Sequence, residues 1–261
     1  RVVTGTPGSA HAMTVLANIT NNGSIRLFDD TGASPLTDPN YTSGAVYTTA
    51  ARTSTVVTTF SGTADQTITC NNQTDLYKLI MNKGTGQQAI LTVNSSGASN
   101  FRLFGPNNIA SSGTSPSEIS NNNISIINGT LQLTGTLTIP NMITRAGGGD
   151  YFPIPQNGAL WLNGAGVSVT VTNTSTSNDD ERIILDGLLR VTNGTMDFGF
   201  SKGLGSLNAG TFQIEGWNCD LLAIQTQAIR NGCFYLHTKR RYFQRRHWRF
   251  LGCRWWYACA I

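Results

Sequence analysis

Charged side chains are scarce: they make up 12% of the 261 residues, about half the ~25% of an average soluble chain. A coiled coil or helical bundle needs Ala, Glu, Lys and Leu in helical register, so that class is excluded. No apolar run approaches the ~20 residues of a membrane-spanning helix, so the chain is not an integral helical membrane protein. Histidine is nearly absent, and His11 is the only one before residue 217. No Gly-x-Ser-x-Gly elbow occurs either, so a Ser-His-Asp site has no sequence support. Methionine and a charged-then-apolar leader are missing from the start, which is the pattern of an internal or processed piece. No feature identifies a reaction.

In place of charge the chain carries 28 glycines together with many Thr, Asn and Ser. Two compositions are joined. Residues 1–216 hold 10 Lys+Arg against 13 Asp+Glu, whereas residues 217–261 hold 8 against the single Asp220. Cys70 lies before the border; Cys219, Cys233, Cys253, Cys259 and four of the five Trp lie after it.

The body repeats one phrase: a small polar residue, Gly, a variable residue, then alternating apolar positions. Copies are Asn22-Gly23-Ser24-Ile25, Asn128-Gly129-Thr130-Leu131-Gln132-Leu133 and Asn157-Gly158-Ala159-Leu160-Trp161-Leu162. Asp186-Gly187-Leu188-Leu189-Arg190-Val191, Asn193-Gly194-Thr195-Met196-Asp197-Phe198 and Ala209-Gly210-Thr211-Phe212-Gln213-Ile214 follow. Asn-Gly and Asp-Gly favour turns because both residues tolerate positive φ. Apolar residues at every second position then put one face of a strand inward. Gly129, Gly158 and Gly187 are spaced 29 and 29 residues apart, but Gly194 follows Gly187 by only 7. A period in this range marks a stacked array whose units bury their apolar faces on one another. The expected fold is therefore all-β, a right-handed parallel β-solenoid or β-helix. An antiparallel β-sandwich is the alternative, since Asn-Gly is also a hairpin signal. Ile25, Leu131, Leu133, Leu160, Leu162, Leu189, Val191, Phe198, Phe212 and Ile214 are expected inside. The organisation reads as irregular strands or a cap over 1–55, repeats over 56–216 and a basic tail over 217–261.

Phe60-Ser61-Gly62-Thr63-Ala64-Asp65-Gln66-Thr67-Ile68 and Leu76-Tyr77-Lys78-Leu79-Ile80-Met81-Asn82-Lys83-Gly84 belong to the same style, as does Leu131-Gln132-Leu133-Thr134-Gly135-Thr136-Leu137-Thr138-Ile139. With the 157–162 phrase, they make residues 55–216 resemble secreted or cell-surface bacterial β-solenoid repeat proteins of the kind exported by type IX systems. The resemblance implies a secreted or surface location and a structural or adhesive role, and it carries no catalytic motif.

The tail holds Lys239-Arg240-Arg241, Arg245-Arg246-His247-Trp248-Arg249 and Arg254-Trp255-Trp256-Tyr257. Such a mixture suits phosphates and stacked bases or a membrane surface. Its Cys and His lack zinc-ligand spacing. A frameshift accounts for the border better than these: glycine codons read out of frame give Trp, Arg and Gly. Back-translation of Lys239–Gln244 shifted by one base permits Asn-Gly-Gly-Thr-Phe, the phrase of the body. Sequence-specific nucleic-acid binding is therefore not expected.

Candidate sites are few. Asp179, Asp180 and Glu181 form the densest acidic group and offer oxygen ligands for Ca²⁺, although a solvated loop explains them as well; no other cofactor is indicated. Besides this group and Glu215, Asp150, Asp186 and Asp197 are the carboxylates near the regular phrases, where an acid–base pair for polysaccharide cleavage would have to be found. Trp161 alternates with Leu160 and Leu162 and should face outward. With Tyr151 and Phe152 it forms a candidate sugar platform. The partners in view are extracellular polysaccharide or other surface proteins.

Overall fold

The computed structural model describes residues 10–27, 55–103, 124–139, 151–170, 182–197, 203–205, 210–215, 219–222 and 235–238. They form strands joined by turns and short connections, and no helix occurs among them.

Three short strands open the chain: β1 (His11–Val15), β2 (Ile19–Asn21) and β3 (Ile25–Arg26). The next three are β4 (Val56–Gly62), β5 (Gln66–Cys70) and β6 (Thr74–Leu76). They pair with the first three in the same order and all in parallel. β7 (Lys78–Lys83), β8 (Ile90–Ser95) and β9 (Phe101–Leu103) repeat the sequence once more. β10 (Ile124–Ile139) then spans two rows, its first part on β7 and its middle on β8. Beyond it the second row continues through β12 (Gly158–Thr170), β14 (Leu188–Asp197) and β16 (Thr211–Ile214). β11 (Tyr151–Ile154), β13 (Arg182–Leu185) and β15 (Gly203–Gly205) make a separate parallel row. β17 (Cys219–Leu222) pairs with the end of β14, and β18 (Tyr235–Thr238) with β16.

Every strand pair described is parallel, which the antiparallel sandwich does not allow. The reason is visible at Asn128-Gly129. Gly129 has φ 96° and bends one continuous strand from the first row into the second, where a hairpin would reverse it. The 29-residue interval is the strand register: Gly129 lies opposite Gly158, and Leu160 opposite Leu189. The 7-residue interval arises because Gly187 lies at the bend before β14 and Gly194 at a second bend within it, where φ is 111°. Glycine is required there for space. A Cβ at Gly187 would lie 2.2 Å from the carbonyl oxygens of both Gly158 and Pro155.

The core consists of rows of like residues stacked across strands. Leu131, Leu160, Leu189 and Phe212 form one row, and Leu133, Leu162 and Val191 another. All seven are buried, as their alternation requires. Ile25 and Ile214 are only partly covered, and Phe198 lies outside the described residues. β1–β3 pair with β4–β6 across residue 55, and beyond residue 216 β18 pairs with β16 and β17 with the part of β14 that starts at Gly194.

Candidate functional site

The Leu160-Trp161-Leu162 alternation does what it predicts: both leucines are fully buried and Trp161 stands on the outer face, half-buried. Register then dictates its neighbours. Gln132 is opposite on β10 and Arg190 on β14, with Gln213 one strand further. In the other direction Thr92 and Thr67 continue the row.

These side chains bind one another. The Arg190 guanidinium carbon lies 4.3 Å from the centroid of the Trp161 ring, a cation–π contact of about 0.5–1 kcal/mol at a partly exposed position. Trp161 Nε1 donates to Thr192 Oγ1 at 2.9 Å, and Thr192 donates on to Asn163 Oδ1 at 2.7 Å. Arg190 Nη2 donates to Glu215 Oε2 at 2.7 Å, and Gln213 Nε2 donates to the other carboxylate oxygen. Thr92 Oγ1 donates to Gln132 Oε1 at 2.8 Å. The result is a polar ladder with one aromatic rung, and one face of that rung is covered by arginine.

The sugar-platform expectation included two further aromatics. Phe152 is fully buried, opposite Ile183, and offers no face to a ligand. Tyr151 contributes backbone to β11, but its side chain lies outside the described residues, as do Asp150, Asp179, Asp180 and Glu181. Asp186 sits at the bend before β14, where its N–H donates to Ile154 O at 2.9 Å. Asp197 ends β14. Among the described residues no three His, Cys, Asp or Glu side chains converge on one point. His11 lies opposite Val56 with Nε2 buried and without a partner. Cys70 is buried, and that burial pushes its thiol up, partly opposed by a hydrogen bond with Thr74; it is a core residue, as a small hydrophobe would be.

Sequence reasoning missed the buried charges. Asp75 of β6 is fully buried and takes a bidentate contact from Arg102 of β9, with Nε to Oδ1 at 2.7 Å and Nη2 to Oδ2 at 2.8 Å. Arg26 of β3 continues the same row. Lys78 is buried, and desolvation lowers its ammonium to about 8. Lys83 is fully buried at the end of β7 and donates to Ala64 O at 2.7 Å and to Gln66 Oε1. The available signal was alternation: Leu79, Met81 and Lys83 share a parity, so lysine follows two core residues inward.

Comparison with known proteins gives no match among family models, curated proteins or solved structures. The functional reading therefore rests on the residues themselves.

Proposed function

We propose that the chain is a right-handed parallel β-solenoid of a secreted or surface-exposed bacterial protein, with a structural or adhesive role. The repeated visit to three rows in one order supports the winding, and parallel crossovers are overwhelmingly right-handed. The observation that carries the role is the outward row from Thr92 to Gln213, whose members pair along the stack instead of converging on a pocket. Such a surface is suited to extended contact with a polymer or another wall component. Glu215 is bound to this row and is paired with Arg190.

A second reading, binding or cleavage of polysaccharide, draws on the partly exposed Trp161 edge beside Arg190 and Glu215. Affinity electrophoresis against neutral and acidic polysaccharides, run with a reducing-end assay, separates the two. Retention without new ends supports an adhesin. Cleavage that Glu215→Gln abolishes replaces it with an enzyme. Retention by no polysaccharide and no surface-protein extract removes the adhesive reading.

A further inference from the structure

Lys83 is an unusual place for a lysine. It is fully buried, and Gly129 roofs it so closely that a Cβ there would lie 3.0 Å from Lys83 Cβ and 3.2 Å from its carbonyl oxygen. Its Nζ is held between Ala64 O and the Gln66 carboxamide oxygen. Gln66 is also buried, and its Nε2 donates to Val15 O and Ala17 O, both at 3.2 Å. Those two acceptors fix the amide with its oxygen turned towards the lysine. Burial favours the neutral amine of Lys83, and the Asp65 carboxylate opposes that shift by its charge. Asp65 is anchored in turn, its Oδ1 accepting from the Ile90 N–H at 2.8 Å. A nucleophile desolvated in this way, beside a held acyl group and a carboxylate, is the arrangement that covalent amine chemistry uses.

We propose that Lys83 and Gln66 form an intramolecular amide cross-link, with Lys83 Nζ displacing ammonia from the Gln66 carboxamide. The lone pair of the neutral Nζ adds to Gln66 Cδ, and the Asp65 carboxylate takes one of the two Nζ protons as the new C–N bond forms. The Cδ–Nε2 bond breaks as Asp65 returns the proton to Nε2. One C–N bond forms, one breaks, and ammonia leaves; no oxidant or cofactor is needed. The product ties β5 covalently to β7 and joins two successive turns of the stack. This inference is independent of the adhesive reading and concerns another part of the molecule.

Mass spectrometry of the full chain tests it. The expected intact mass is lower than that of the sequence by one ammonia. Succinimide at an Asn-Gly pair gives the same loss, so a tryptic digest decides. It should contain a branched species joining residues 53–78 to residues 79–102, uncut after Lys83. Lys83→Arg and Gln66→Ala should each abolish that species, and Asp65→Asn should slow its appearance after synthesis. Wild-type chain at full mass with normal cleavage after Lys83 overturns the proposal, and so does a mass loss without the branched peptide. Neither result depends on whether a variant folds.

Discussion

Replacing Gly187 by alanine tests the stacking most sharply. The added methyl carbon would lie 2.2 Å from two backbone oxygens, those of Gly158 and Pro155, and 3.2 Å from the Gly158 carbonyl carbon. Ordinary carbon–oxygen contact lies roughly an ångström further out, and backbone cannot rotate away as a side-chain end can. The strands must separate there. The bonds that hold them are those of Asp186 N–H and Gly187 N–H to Ile154 O, both at 2.9 Å. Stretching two such bonds forfeits about 1 kcal/mol each, and overpacking adds about 1–3 kcal/mol. The expected loss is therefore about 3–5 kcal/mol. Gly23→Ala is the internal control, because nothing lies within 4 Å of a Cβ at that position. It should change stability by no more than about 1 kcal/mol. Urea unfolding followed by far-ultraviolet circular dichroism measures both. Equal midpoints for the two variants would refute the close backbone approach at Gly187.

Leu162→Ala should cost about 2–5 kcal/mol by the same assay, since Leu162 is fully buried between Leu133 and Val191. A double-mutant cycle of Trp161→Ala and Arg190→Ala should return a coupling of about 0.5–1 kcal/mol; a coupling near zero would dissolve the aromatic rung. Arg102→Ala leaves the Asp75 carboxylate buried without its guanidinium, so a loss of about 3–5 kcal/mol is expected, with Asp75→Asn combined with Arg102→Ala recovering part of it. Lys78 is lowered to about 8 in the folded chain, against about 10.4 when unfolded. The unfolded state then binds more protons between these values, and stability should rise as pH increases from about 8 to about 10.4. Lys78→Met should flatten that part of the profile.

Strand parity was the most legible feature. A leucine on either side of Trp161 was enough to place all three side chains, and the 29-residue glycine spacing gave the register of β10, β12 and β14 before any coordinates. Parallel pairing was not legible from Asn-Gly alone, because the same dipeptide serves a hairpin and a bend within one strand. Register in the first half was hidden as well. Val57 lies opposite Lys78 but Leu79 opposite Ile124, so the intervals between paired strands are unequal. That irregularity concealed the Asp75–Arg102 pair, whose members look like separate solvent-facing residues within Thr-Asp-Leu and Phe-Arg-Leu. For the candidate site, sequence placed Trp161 on the surface and left unseen what stands beside it. Arg190 and Glu215 reach it through strand pairing. Phe152 was expected beside Trp161 in a sugar platform, and its turn into the core is set by β13, whose Ile183 it meets.

Interstrand amide contacts in a deuterated, nitrogen-15-labelled sample test the parallel stack most directly. Parallel pairing keeps the residue offset constant along the strands, whereas antiparallel pairing keeps the sum of the residue numbers constant. Nuclear Overhauser contacts should therefore join the neighbourhoods of Leu131, Gln132 and Leu133 to those of Leu160, Trp161 and Leu162 in that same order, and these in turn to Leu189, Arg190 and Val191. Contacts that run in the reverse order, or that join neither pair of segments, would contradict the account.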